Sequence, residues 1–474
     1  MSSELDGTGG AAPRRPTGAT ARTGNDRPAG ADPDRGEAGT AASSPLKQDI
    51  TGPLLYLFIL GDVLGAGIYA LVGKIGAEVG GAVWIPLLVA LVLAMLTACS
   101  YAELVTKYPR AGGAAVFAER AYGVPVISFM VGFCMLAAGV TSAAGLSLAF
   151  AGDYLRTFLD VPTVPAALVF LVLVALLNLR GIKESVRSNL VMTVIEVSGL
   201  VLVIVLVAFM LGGGRGDPAR TLQFTEGVQP ATAVLGASLL AYYSFVGFET
   251  SANVAEEVRD VSRVYPRALF GALITAGVVY VLIGLASVTA VPVPDLAASS
   301  GPLLDVVRAT GFGVPSWLFG LIALVAVANG ALLTMIMSSR LTYGMARQRL
   351  LPAPLGRVLR GRRTPWVAIV VTTLAAMALT VTGDLAALAE TVVLLLLFVF
   401  ISTNIAVLVL RRDPVSHRHF TAPTVVPWLA VASCLVLLAQ QSLQTWLRAG
   451  ILLAIGLALF AAVRLADRRR SRAV

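Results

Sequence analysis

Apolar residues run along this chain in blocks of about 20, the length that crosses the hydrocarbon core of a bilayer. They predict twelve spanning helices, at roughly 52–73, 82–106, 124–151, 163–179, 188–211, 230–254, 267–291, 315–345, 365–382, 386–410, 425–441 and 446–465. The ninth and eleventh blocks are short for a span. The third and eighth are long enough to tilt or to extend past the lipid. The expected fold class is therefore an all-α integral membrane protein with about 12 transmembrane helices.

Two of the blocks are interrupted. The first contains Gly61, Asp62, Gly65 and Gly67 in the run Gly61-Asp62-Val63-Leu64-Gly65-Ala66-Gly67-Ile68-Tyr69. The sixth contains Tyr242, Tyr243, Ser244, Gly247 and Glu249. Lipid accepts irregular backbone and carboxylates only where protein or a water-filled cavity surrounds them. Five spans separate the two starts, an odd number, so the two halves of the chain would lie inverted in the membrane. Broken helices at matching positions of inverted halves point to a transport site.

The charged residues fix a topology. Loops after the even-numbered spans hold about 23 Lys and Arg, against about 6 after the odd-numbered ones. By the positive-inside rule this bias places both termini in the cytoplasm and supports an even number of spans. The same clustering turns the net charge of +9 into a membrane signal and away from nucleic acid. A 57% hydrophobic content and a mean hydropathy of +0.82 exclude ordinary soluble domains. Residues 1–46 are rich in Gly, Ala, Pro, Thr, Asp and Arg and read as a disordered cytoplasmic tail; residues 466–474 read as a basic cytoplasmic tail. Cys99, Cys134 and Cys434 sit inside apolar blocks and read as small core residues. The two histidines, His417 and His419, share one loop. With no convincing nucleophile–base or metal-ligand set, no enzyme, metal site or cofactor is expected.

The interrupted blocks carry the candidate chemistry. Gly65-Ala66-Gly67 lets the backbone open, and the freed N–H groups can bind a carboxylate at the positive end of the following half-helix. Freed carbonyls on the other side can accept from an ammonium or coordinate a cation. Together these match the two charged ends of an amino acid. Close glycine packing between helices accounts for the same residues equally well. Tyr243, Ser244, Phe245 and Val246 would form the opposing break, with Ser244 bonding substrate and Tyr243 covering it; a packed aromatic face is the plainer reading, more so for Phe245. The intramembrane acids Asp62, Glu196 and Glu249 are the candidates for coupling ion chemistry. A carboxyl group out of water favours its neutral form, which suits reversible protonation. Structural hydrogen bonding fits each of them as well, and Glu249 best, because it stands near the cytoplasmic end of its span. Asn329, in the middle of the eighth span, is placed either against substrate or a cation or in a bond to another helix.

Four stretches together resemble the amino acid–polyamine–organocation superfamily of transporters: GDVLGAGIYALVG at 61–73, SYAELVTKYPRAGGAAVFAERAYG at 100–123, AYYSFVGFETSANVAEEVRDVSRVYPRAL at 241–269 and SSRLTYGMARQRLLP at 338–352. The resemblance covers about 50–460. It implies a core of two inverted five-helix repeats, 47–211 and 212–410, with two additional helices over 411–465. It also implies alternating access, with substrate held between the first and sixth spans. Carried onto this chain, Gly65, Ala66 and Gly67 would receive the substrate carboxylate, and Ile68 would belong to the substrate-binding residues. The backbone at Val63, Tyr243, Ser244 and Val246 would receive its ammonium, and Tyr243 would stand as the aromatic gate. Two positions depart from the family pattern in the membrane: Glu196 stands where proton-coupled relatives often carry a lysine, and Asp62 where a neutral residue is usual. Gln348 and Arg349 replace the usual Asp and Gly at the exit of the eighth span. The expected function is secondary active transport of amino acids across the plasma membrane, coupled to H+ or Na+. An amine or polyamine exchanger and a non-transporting sensor on the same fold are the alternatives.

Overall fold

A computed structural model describes residues 50–110, 112–180, 185–359 and 364–471, with the side chains of Ala66, 185–188 and 466–471 left aside. The expected tail 1–46 and the last residues of the expected basic tail lie outside them. The described chain is helical: α1 Gly52–Val79, α2 Trp84–Lys107, α3 Gly113–Tyr122, α4 Pro125–Phe150, α5 Asp153–Arg156, α6 Thr163–Arg180, α7 Ser185–Gly212, α8 Pro230–Tyr243, α9 Val261–Ala290, α10 Val293–Ala298, α11 Pro302–Thr310, α12 Ser316–Arg347, α13 Trp366–Thr382, α14 Leu385–Leu410, α15 Val425–Ala439 and α16 Leu443–Ser471. A 3₁₀ helix, Phe248–Glu257, follows α8. Among the described residues no strand forms, and only two isolated bridges occur, Ile50 with Val258 and Gly80 with Phe224.

Among the described residues nine helical segments are long and apolar enough to cross a membrane, with α4 taken together with α5 and α8 with the 3₁₀ helix after it, and ten when the bent α1 is added. The expected ninth and eleventh spans form the shorter apolar helices α13 and α15, of 17 and 15 residues. Proline begins several helices: Pro53 in α1, Pro125 in α4 and Pro230 in α8 stand in the first turn, where the missing N–H costs nothing. All five tryptophans, Trp84, Trp317, Trp366, Trp428 and Trp446, fall in the first turn of a helix. That is the placement expected of an aromatic belt at a membrane–water interface.

α4 is buried on nearly every side, between α12 and α14, as a helix apolar all round should be. α1 lies against α8, α9 and α7, and α2 against α8 and α9. α6, α13, α15 and α16 carry exposed Val169, Leu173, Leu374, Trp428 and Ile451, apolar side chains suited to contact with lipid. Phe150 stacks on Phe170 with centroids 3.9 Å apart, fixing α6 to α4.

The two interruptions are visible as breaks. α1 bends by 41° between Gly52–Gly65 and Gly67–Val79, with Gly65 out of helical geometry. α8 ends at Tyr243; residues 244–247 turn, and Gly247 adopts φ 128°, a conformation that a side chain rarely permits. Two short helices, α10 and α11, fill the connection between α9 and α12. Among the elements expected from the sequence, none falls between the spans 267–291 and 315–345.

Candidate functional site

The breaks meet face to face. A Cβ placed on Gly67 would come within 2.9 Å of the Ser244 Cα, and one on Gly247 within 2.7 Å of the Asp62 carbonyl oxygen. Each glycine therefore lets one broken segment press on the backbone of the other. The 3₁₀ helix behind the second break is held by an aromatic cluster: Phe248 stacks on Phe400 at 5.5 Å, and Tyr101 sits edge-on to Phe248 at 5.7 Å. Such pairs are worth about 0.5–1.5 kcal/mol each beyond their burial.

A cavity of about 1120 Å³ opens from the breaks towards the end of the molecule that carries Glu119, Gly123, Glu257 and Gln348. Asp62, Val63, Gly65, Gly67, Tyr243, Ser244, Val246, Gly247, Glu249 and Thr250 form its deep wall. Gly139 and Ser142 of α4 stand opposite, with Gly330 and Thr334 of α12 beside them. Tyr243 bonds across the cavity, its hydroxyl 2.9 Å from Ser142 Oγ. Ser244 Oγ is buried and has no protein partner. The first turn of a helix leaves N–H groups without an intrahelical acceptor, so the half-helix that starts at Gly67 turns donors towards the same space.

The sequence candidates divide in two. Asp62, Val63, Gly65, Gly67, Tyr243, Ser244, Val246 and Glu249 are brought together on the cavity wall. Of Ala66 only the backbone is described. Ile68 is fully buried in the core. Asn329 is buried in the α7–α12 seam, where its Nδ2 donates to Asn189 Oδ1 at 3.0 Å. Glu196 is also buried off the cavity wall, with neither carboxyl oxygen bonded. Asp62 accepts from the Thr250 hydroxyl, which joins α1 to the segment after the second break. Glu249 accepts from the backbone N–H of Gly247 at 2.9 Å and so steadies that turn.

Tyr280 of α9 was not foreseen. Its hydroxyl stands 2.5 Å from the Val63 carbonyl oxygen, 3.0 Å from that of Leu64 and 2.9 Å from that of Ser244. One phenolic proton serves three carbonyls that the two breaks release, so acceptor capacity remains for another donor. The only sequence signal was a tyrosine in mid-span, where a hydroxyl needs a partner.

The opposite end of the site is shut. Lys74 Nζ donates to the Ala297 carbonyl at 2.6 Å, and the Tyr154 hydroxyl to the Tyr69 carbonyl at 2.6 Å. Asp153 N–H donates to Ser300 Oγ and Ser300 N–H to Asp153 Oδ2, both at 2.9 Å. These bonds pin α5, α10 and the second half of α1 together, so the cavity communicates with one side only.

The chain is 26% identical over 451 residues to a branched-chain amino acid permease of Bacillus subtilis, covering 89% of this chain and 94% of that protein. It is 25% identical over 437 residues to a methylthioribose transporter of the same organism, covering 87% and 93%. It is 29% identical over 376 residues to a vacuolar cationic amino acid transporter of Arabidopsis thaliana, covering 75% of this chain and 62% of that protein. A profile described as amino acid permease matches residues 54–455. A match along most of the chain, through both breaks, makes this multi-span membrane protein a member of the amino acid permease family of the amino acid–polyamine–organocation superfamily.

Proposed function

We propose that this protein is a proton-coupled secondary transporter of amino acids that works by alternating access in the plasma membrane. The observation that carries the proposal is the pairing of the two breaks around one cavity. Half-helix N–H groups at Gly65–Gly67 offer a carboxylate site, and the carbonyls of Val63 and Ser244 offer an ammonium site. With both termini cytoplasmic, the open end of the cavity is cytoplasmic and the shut end, around α10 and α11, is external. The described conformation is then inward-facing. In this reading the two five-helix repeats 47–211 and 212–410 rock against each other about the breaks.

Asp62 and Glu196 take the coupling proton. Asp62 sits at the break itself, and Glu196 is a buried acid whose oxygens have no protein partner. A buried carboxylate without a partner is costly, and protonation removes that cost. A reversible proton site at this place would let one gradient bias the two states of the site. Purified protein in liposomes should accumulate a labelled amino acid when an inward proton gradient is imposed, and not under a sodium gradient alone. Asp62→Asn combined with Glu196→Gln should abolish uphill accumulation; retention of it would sink the coupling assignment.

A second reading is favoured by the charge of the cavity. Asp62, Glu119, Glu249 and Glu257 line it, against the single cation Arg340 among the described lining residues. Such a wall suits an amine or a cationic amino acid. Competition by an amine as strong as that by an amino acid would support this reading.

A further inference from the structure

One face of α7 carries a polar stripe that the substrate site leaves unused. Asn189, Thr193 and Glu196 follow at intervals of four and three residues, which places them on one side of the helix over about 10 Å. All three are buried, with exposures of 3%, 0% and 0%. None belongs to the wall of the substrate cavity. The stripe starts near the end of α7 that follows the basic loop. There Asn189 pairs with Asn329 of α12. It ends at Glu196, whose backbone carbonyl accepts from the Tyr69 hydroxyl at 2.8 Å.

The stripe is short of partners. Thr193 Oγ1 and both carboxyl oxygens of Glu196 make no hydrogen bond within the protein. Buried polar groups are seldom left so, and a water entering beside them would find three free polar atoms to bond. Its cover is thin. Gly61 of α1 lies so close to Thr193 that a Cβ there would collide with the Thr193 side chain. Movement of the first half of α1 would therefore uncover the stripe.

We propose that Asn189, Asn329 and Thr193 form a water-bearing route by which protons pass from Glu196 to the cytoplasmic side without entering the substrate cavity, with Gly61 of α1 as its cover. The inference rests on the assignment of Glu196 as a proton carrier. The transfer is balanced: the Glu196 carboxyl O–H bond breaks, its proton passes to a water molecule of the route, and a carboxylate and a hydronium ion are left. The titratable groups that interact with Glu196 are Asp62 and Tyr69 of α1 and Tyr280 of α9. On α11, also packed on α7, Asp305 and Arg308 pair with each other at 3.4 Å. From α12, Ile322 and Asn329 meet this face.

The test separates proton movement from substrate movement in proteoliposomes. Thr193→Val keeps the shape and removes the hydroxyl; Asn189→Leu removes the amide. Each should lower substrate-induced proton uptake, read by an internal pH dye, at least tenfold. Exchange of labelled for unlabelled amino acid without a gradient should stay within twofold. Unchanged proton uptake in Thr193→Val, with Glu196→Gln uncoupled, would overturn the route and leave Glu196 as carrier. Full coupling in Glu196→Gln would instead overturn the carrier assignment and the route with it. Asn189→Leu is scored only where its exchange activity shows a folded protein; Thr193→Val decides the matter alone otherwise.

Discussion

At the scale of single residues, the site depends on backbone that two glycines allow to touch. Gly67 faces the Ser244 Cα, a neighbour that cannot rotate away. Gly67→Ala should therefore cut uptake at least tenfold while the protein still elutes as a folded species, measured by initial rates in proteoliposomes. Tyr280 acts from the other side. Tyr280→Phe removes the one hydroxyl that meets the Val63, Leu64 and Ser244 carbonyls. Leaving a buried acceptor unpaired costs about 1–3 kcal/mol, so the melting temperature in detergent should fall, together with substrate affinity. An unchanged melting temperature would show that water replaces the phenol. These two residues also mark what the sequence could show. Glycines and a carboxylate in an apolar block break a simple rule, and so they stood out. Tyr280 breaks none; its meaning arises only when α9 meets two segments more than 200 and about 36 positions distant. Glu196 stood out as an acid in lipid and Asn329 as a polar residue in mid-span, but periodicity does not say whether such a residue turns to a cavity or to a neighbouring helix.

At the scale of elements, the two ends of the site differ. The end around α3 and the end of α12 is open. The other is held by α5, α10 and the second half of α1 through Lys74, Asp153, Tyr154 and Ser300. Asp153→Ala removes the carboxylate that accepts from the Ser300 N–H and should favour opening at that end. A cysteine at Ser142, in a background without Cys99, Cys134 and Cys434, then becomes the reporter. Its labelling by a membrane-impermeant thiol reagent from the α10 side should speed up at least threefold. The long helices were legible because a span of lipid demands about 20 apolar residues. α10 and α11 were not, because six and nine residues are too short to show a helical period above the turn signals around them.

At the scale of the whole molecule, the basic end is tied together across the sequence. Arg411, just after α14, makes two bonds of 2.7 Å to the carboxylate of Glu103 in α2, and Ala422 N–H donates to the same carboxylate at 2.8 Å. The Glu103 side chain is 2% exposed and that of Arg411 21%. The carboxylate holds the Arg411 guanidinium above its already high ordinary pKa. Arg411→Met would strand a buried charge and should destabilise the folded protein by on the order of 3 kcal/mol, seen as a lower unfolding temperature. Arg411→Lys should recover only part of that loss, because a point charge does not reproduce a two-bond fork. The all-α membrane fold was readable from the length and order of the apolar blocks. The pairing of Glu103 with Arg411 was not, since either residue alone resembles ordinary charge at a membrane edge.

Recognition of both charged ends of an amino acid by the two breaks is tested most directly by competition in proteoliposomes. A labelled transported amino acid is challenged with its unlabelled form, its methyl ester and its deaminated acid. Carboxylate capture at Gly65–Gly67 and ammonium capture at Val63 and Ser244 predict that each modified compound competes at least 100-fold less well than the parent, a loss of about 2.7 kcal/mol. A methyl ester that competes as well as the parent amino acid would contradict it.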